Sequence, residues 1–117
     1  MSDTEHSNDV TADGFDIEAM QAQANKASNL LSAMCNEKRL LLLCRLVDAE
    51  RSVNELTDLL GSPQSTISQH LALLRREGFV RARREGQTQY YSLAGDEARA
   101  ILNTLQSLYC DPQAKDA

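Results

Sequence analysis

Aromatic residues are scarce: the 117-residue chain has no Trp, three Tyr and two Phe. A core must then be built from aliphatic side chains, chiefly Leu. No apolar run approaches the roughly twenty residues that a membrane-spanning helix needs. The first residues are acidic, with no basic start and no apolar stretch behind them, which is not the pattern of a signal peptide. We expect a cytoplasmic protein whose thiols rest reduced. Histidine is nearly absent: His6 and His70 each stand alone. A closed zinc site takes about four N or S ligands. No such set is evident, so neither a metal nor a cofactor is expected. The chain also lacks a Cys–His pair, a phosphate-binding loop and paired carboxylates that could share a pocket, which speaks against an enzyme.

What is present is unevenly charged. The net charge is −5, which taken whole argues against a polyanionic partner. Residues 1–32, however, hold six acidic residues against one Lys, and residues 96–117 hold four acidic against two basic. Residues 33–95 hold nine Lys and Arg against seven Asp and Glu. Between Arg75 and Arg84, five Arg face one Glu. Local clustering, rather than the total, decides attraction to phosphate.

The hydrophobic pattern predicts one domain at residues 15–110, a disordered acidic tail at residues 1–14 and a C-terminal tail at residues 111–117. A domain this small often completes its core with a partner subunit. Ile17, Met20, Ala24, Ala27, Leu31 and Met34 recur at helical spacing behind a cap at Asp16. Asn36 caps a second helix that runs to about Val47. It is apolar nearly all round, as suits a helix buried on several sides. Ser52 and Glu55 form a capping box. It opens a third helix with Val53, Leu56, Leu59 and Leu60 inward, and Gly61 stops it. Pro63 takes the first position of a fourth helix. There Ile67, Leu71 and Leu74 make an apolar stripe, with Ser65, Ser68, Gln69 and Ala72 opposite, and Gly78 ends it. Val80, Ala82 and Arg84 then alternate with Arg81 and Arg83. Glu85-Gly86 turns, and Thr88–Leu93 returns with Tyr91 and Leu93 inward. Asp96 starts a last helix with Ala98, Ile101, Leu102, Leu105, Leu108 and Tyr109 on its apolar face, ending near Cys110.

This is a mainly α fold with a β-hairpin wing. A short capped helix, a tight turn, a longer helix and a basic hairpin, in that order, are the parts of a winged helix-turn-helix that reads duplex DNA. Gln64 and Gln69 can pair bidentately with adenine, and Ser65 and Ser68 can bond bases or phosphates. Arg75, Arg76, Arg83 and Arg84 suit phosphates or a minor-groove edge. His70 beside the helix face, and Gln87 and Thr88 at the hairpin tip, are further candidate contacts. The same architecture can serve protein–protein contact alone, but the arginine cluster favours DNA.

The runs Asn36-Glu-Lys-Arg-Leu-Leu-Leu-Leu, Ser52-Val-Asn-Glu-Leu, Ser65-Thr-Ile-Ser-Gln-His-Leu-Ala-Leu-Leu-Arg and Gly78-Phe-Val-Arg-Ala-Arg-Arg-Glu-Gly-Gln-Thr-Gln-Tyr-Tyr-Ser-Leu together resemble the ArsR/SmtB family of bacterial repressors. The likeness covers about residues 15–110. It implies a homodimer joined through its first and last helices, bound to palindromic operator DNA and released when an inducer is sensed. Some members sense metals. The third helix here has no Cys or His, and no His follows Asp96, so a metal-responsive repressor is the alternative rather than the first reading.

Cys44 and Cys110 resemble the paired thiols of the SqrR/BigR subgroup, repressors of sulfide-response genes. The resemblance implies that a disulfide or inserted sulfur atoms join these two thiols, on exposure to persulfide or another oxidant, and that DNA is then released. A free Cys is also an ordinary small core residue, and Cys44 on a Leu-rich helix fits that role too. Cys35 has no counterpart in the pair. We expect a spectator or auxiliary thiol there, at a helix start where the dipole favours the thiolate.

Overall fold

The structure, a computed structural model, describes residues 16–110. The expectations for residues 1–14 and 111–117 lie outside the described residues. The chain divides into two compact units, one ending at Ser32 and one beginning at Ala33.

Each of the first three helices starts on a side-chain cap, which satisfies backbone donors that a helix leaves open. Helix α1 (Ile17–Met34) begins where Asp16 Oδ1 accepts the Ala19 N–H at 3.1 Å. Helix α2 (Glu37–Arg45) begins where Asn36 Oδ1 accepts the Arg39 N–H at 3.0 Å. It ends short of Val47 because its last turn tightens: the N–H groups of Leu46 and Val47 bond back three residues, to Leu43 and Cys44. Leu42, Leu43 and Leu46 are fully buried, yet Leu41 is 48% exposed. The helix therefore has one buried side within the protomer, not several.

A two-residue strand, β1 (Arg51–Ser52), precedes helix α3 (Val53–Leu60). The capping box of α3 is complete: Ser52 Oγ accepts the Glu55 N–H at 3.1 Å, and the Ser52 N–H donates to Glu55 Oε1 at 2.8 Å. Of the four residues expected inward, Leu56 alone is fully buried, and Leu59 is exposed. At two turns and packed on one side, α3 sends one Leu to the core. Gly61 ends it at φ 64°, in the left-handed region where a side chain is strained.

Helix α4 (Gln64–Arg76) carries its apolar stripe as expected, with Ile67, Leu71 and Leu74 all fully buried. Pro63 is its N-cap rather than its first helical residue. Its ψ of 148° is extended, and its carbonyl accepts the Ile67 N–H at 3.1 Å. The C-terminus closes as a Schellman motif: Phe79 N–H bonds the Leu74 carbonyl at 2.8 Å and Gly78 N–H bonds the Arg75 carbonyl at 3.1 Å, with Gly78 at φ 87°.

The wing is an antiparallel hairpin of β2 (Val80–Glu85) and β3 (Thr88–Leu93), paired from Val80↔Leu93 to Glu85↔Thr88. Because Glu85 pairs, the turn is Gly86-Gln87, one residue later than expected. Gly86 sits at φ 64°, as the first position of such a tight turn requires. Strand β1 adds to the other edge of β3, giving the order β1-β3-β2. The expected two-stranded hairpin is thus a three-stranded sheet.

Helix α5 (Glu97–Tyr109) follows Asp96, whose carbonyl accepts the Ala100 N–H at 2.9 Å but whose side chain makes no capping bond. The apolar face expected along the whole helix reaches the core only in its first half. Ala98 and Leu102 are buried, while Leu108 and Tyr109 stand 60% and 69% exposed. Burying a large apolar side chain is worth about 1.5–3 kcal/mol, so these two leave a gain untaken within the protomer.

Candidate nucleic-acid interface and thiol pair

Helix α4 presents Gln64, Ser65, Ser68 and Gln69 to solvent, on the side opposite its buried stripe. Small and amide side chains on a free helix face are what close approach to base edges requires. Arg75 and Arg76 follow on the last turn, also exposed. Among the described residues, the side chains of Arg75, Arg76, Arg81 and Arg84 make no hydrogen bond or ion pair, so their guanidinium groups are free for an external anion. Gln87 and Thr88 are exposed at the wing tip.

His70 is half-buried at the edge of this face. Burial first, then the charges of Arg39 and Lys38, hold its pKa below the ordinary 6.5. At neutral pH it offers a hydrogen bond and no charge. Lys38 donates to Ser62 Oγ at 3.0 Å, which ties α2 to the turn before α4. No sequence pattern marks that tie.

Arg83 differs from its neighbours. Its Nε donates to both Glu50 carboxylate oxygens at 2.9 Å, its Nη2 to Glu50 Oε1 at 2.8 Å and its Nη1 to Glu85 Oε1 at 3.1 Å. The guanidinium also lies 5.0 Å from the ring centre of its cross-strand partner Tyr90. Arg83 in turn holds the Glu50 carboxyl below its ordinary pKa. The sequence groups Arg83 with Arg84 as an equal; the structure engages one and leaves the other open.

The thiols separate in the same way. Cys35 is exposed in the short link between α1 and α2, before the Asn36 cap. It therefore lies outside the helix start where it was expected. Cys44 is half-buried on α2, and Cys110 is exposed at the C-cap of α5. Burial pushes the Cys44 thiol pKa up from 9.0, Cys110 pushes it further, and Arg45 pulls the other way. The influence of Cys110 on Cys44 means that the fold brings the two into electrostatic reach. Asn103, Gln106 and Ser107 line an open surface cleft with Cys110. Among the described residues no group of three His, Cys, Asp or Glu could hold a metal ion. No described helix is long and apolar enough to cross a membrane.

Comparison with known proteins agrees with this geometry. Residues 36–82 match the model of the bacterial regulatory protein, arsR family. The transcriptional activator HlyU of Vibrio cholerae is 47% identical over 96 residues, which span 82% of this chain and 89% of HlyU. The crystal structure of the transcriptional repressor BigR from Xylella fastidiosa superposes with a TM-score of 0.75 at 39% identity, covering 80% of this chain and 95% of that one. The homodimeric winged helix-turn-helix DNA-binding domain of Mycobacterium bovis Mb0332 superposes with a TM-score of 0.69 at 30% identity, over 83% and 89% of the two chains. These relatives are named as regulators of transcription, not as enzymes. The chain belongs to the arsR family of bacterial regulatory proteins, winged helix-turn-helix regulators of transcription.

Proposed function

We propose that this regulator is a dithiol-switched repressor. As a homodimer it binds palindromic operator DNA while Cys44 and Cys110 are reduced, and it lets go when they are bridged. The thiol half is supported by the placement of two free thiols 66 positions apart in the chain, the half-buried Cys44 on α2 and the exposed Cys110 at the C-cap of α5, within electrostatic reach of each other. The DNA half rests on the polar face of α4 and the unpaired Arg75, Arg76 and Arg84. Leu108 and Tyr109 on α5, and the exposed Leu31 on α1, supply apolar surface for a second copy. Two-fold symmetry then sets the recognition helices about one DNA turn apart.

The chemistry suits the two environments. The exposed Cys110, as thiolate, takes the outer sulfur of a small persulfide RSSH, releases RS⁻ and becomes Cys110–S–SH. The Cys44 thiol loses its proton and attacks the Cys110 sulfur, so that Cys44–S–S–Cys110 forms and HS⁻ leaves. Two electrons pass from the thiols to the transferred sulfur, which departs as sulfide. A peroxide reaches the same bond through a sulfenic acid, with water leaving. A direct bond needs Cα atoms within about 7 Å, whereas retained sulfur atoms span more.

Intact mass spectrometry after persulfide, and separately after peroxide, tests this. Both cysteines should resist alkylation, with two hydrogens lost for a direct bond or whole sulfur atoms added for a longer bridge. Cys44→Ser and Cys110→Ser should bind DNA yet ignore the inducer; full inducibility of either defeats the model. In Cys110→Ser the alkylation profile of Cys44 should also move to lower pH, because the group that opposes its ionisation is gone.

A further inference from the structure

The segment that joins α2 to β1 is held from three sides. Arg99 on α5 donates through Nη1 to the Val47 carbonyl. Arg51 reaches back, with Nε on the Arg45 carbonyl at 2.7 Å and Nη2 3.7 Å from Asp48. Glu50 takes the wing by the bidentate pair with Arg83. A short stretch of chain is thus the meeting point of α2, α5 and the hairpin. Its first anchor, Val47, lies three residues beyond Cys44, and Arg99 belongs to the helix that Cys110 caps.

We propose that Glu50 and Arg99 are positioning residues for the wing, Arg99 fixing the joining segment to α5 and Glu50 fixing Arg83 to the joining segment. The wing's pose then follows the relation between α2 and α5, the two helices that carry Cys44 and Cys110. This inference rests on the thiol-switch reading above and supplies its route to DNA.

The geometry of Arg83 argues for a strut. All three of its guanidinium nitrogens already meet a carboxylate. A planar fork satisfied in this way cannot grip a phosphate without releasing an acid. Two parallel bonds on one carboxylate also fix orientation, which a single flexible Lys contact does not. When a bridge draws Cys44 toward Cys110, the end of α2 shifts against α5. Val47 and Arg99 must move together or part, and Glu50 carries Arg83 with it. An exposed ion pair adds little to folding, so its loss should spare the fold and alter the coupling.

The test uses the full-length dimer and a DNA duplex selected from a random pool with reduced protein. Affinity is measured by fluorescence anisotropy across a salt series, reduced and after glutathione persulfide has removed Cys44 and Cys110 from alkylation. Glu50→Gln should bind the duplex when reduced within about threefold of wild type and with the same salt slope. Its loss of affinity on bridging should shrink at least about fivefold, since allosteric coupling spans roughly 5–150-fold. Arg99→Gln should act alike, and the double variant should lose no more than the larger single, as expected of residues on one route. A Glu50→Gln protein that responds to bridging as fully as wild type overturns the inference. So does one that binds more tightly when reduced with a steeper salt slope, because Arg83 would then be a phosphate contact held back by Glu50. If wild type itself keeps its affinity after bridging, the thiol-switch reading falls and the inference with it.

Discussion

Helices α4 and α5 are both thirteen residues long, and they spend their apolar residues differently. In α4 the stripe of Ile67, Leu71 and Leu74 is buried to the last residue, and the opposite face is polar and open. In α5 the stripe sinks into the core at Ala98 and Leu102 and then runs out into solvent at Leu108 and Tyr109. The first helix is completed by its own chain, and its outward polar face is the one proposed to meet DNA. The second leaves Leu108 and Tyr109 uncovered, and in the proposed dimer a second copy is the partner of that outer half. Under the proposed function one helix thus makes an exchangeable contact and the other a lasting one.

Three substitutions press on that contrast. Leu71→Ala should cost most, about 2–5 kcal/mol, as for other buried leucines cut to Ala. A drop in denaturant midpoint at unchanged slope would register it. A destabilisation well under that range would mean α4 is not anchored as its burial implies. Leu108→Asp should leave the protomer fold nearly as stable but put a charge into each half of the proposed dimer seam. Sedimentation should show monomer, and operator affinity should fall tenfold or more, given the roughly 1.5–3 kcal/mol carried by each large apolar group buried. A dimer as tight as wild type would move the seam away from α5. Arg84→Ala should have the smallest effect, lowering the slope of log affinity against log salt by about 0.9 for every phosphate that Arg84 neutralises, one on each subunit. An unchanged slope would mean that Arg84 does not touch the DNA backbone.

Local signals made much of this architecture readable in advance. Asp16, Asn36 and the Ser52/Glu55 box announce three helix starts because a cap involves residues three apart in the chain. The α4 stripe announces itself through period, and Gly78 through the backbone shape it permits. Strand β1 escapes notice because two residues carry no alternation to detect. The exposure of Leu41, Leu59 and Leu108 escapes notice for another reason: a run of leucines states preference, and the supply of core in one protomer decides which are satisfied. The candidate site divides likewise. The polar face of α4 is a matter of spacing within one helix, whereas the Glu50–Arg83 pair joins residues 33 apart and exists only once the sheet has formed. Cys44 and Cys110 stand out by resemblance to paired thiols elsewhere; the electrostatic influence of one on the other arises only once the chain has packed.

The closure at the end of α4 has a consequence for exchanging parts between relatives. Phe79 gives its N–H to Leu74 on the helix at 2.8 Å, and its carbonyl accepts from Ala94, beyond the far end of β3, at 3.0 Å. The recognition helix and the hairpin therefore share one residue as a rivet, with no slack between them. A graft meant to transfer operator preference should carry Gln64 to Ala94 as a single cassette. A cut at Gly78 would sever the bonds that set the angle between its two halves. Extra residues at Gly86-Gln87 would leave those bonds intact, since that exposed loop joins only its own two strands, but they would displace the candidate contacts Gln87 and Thr88.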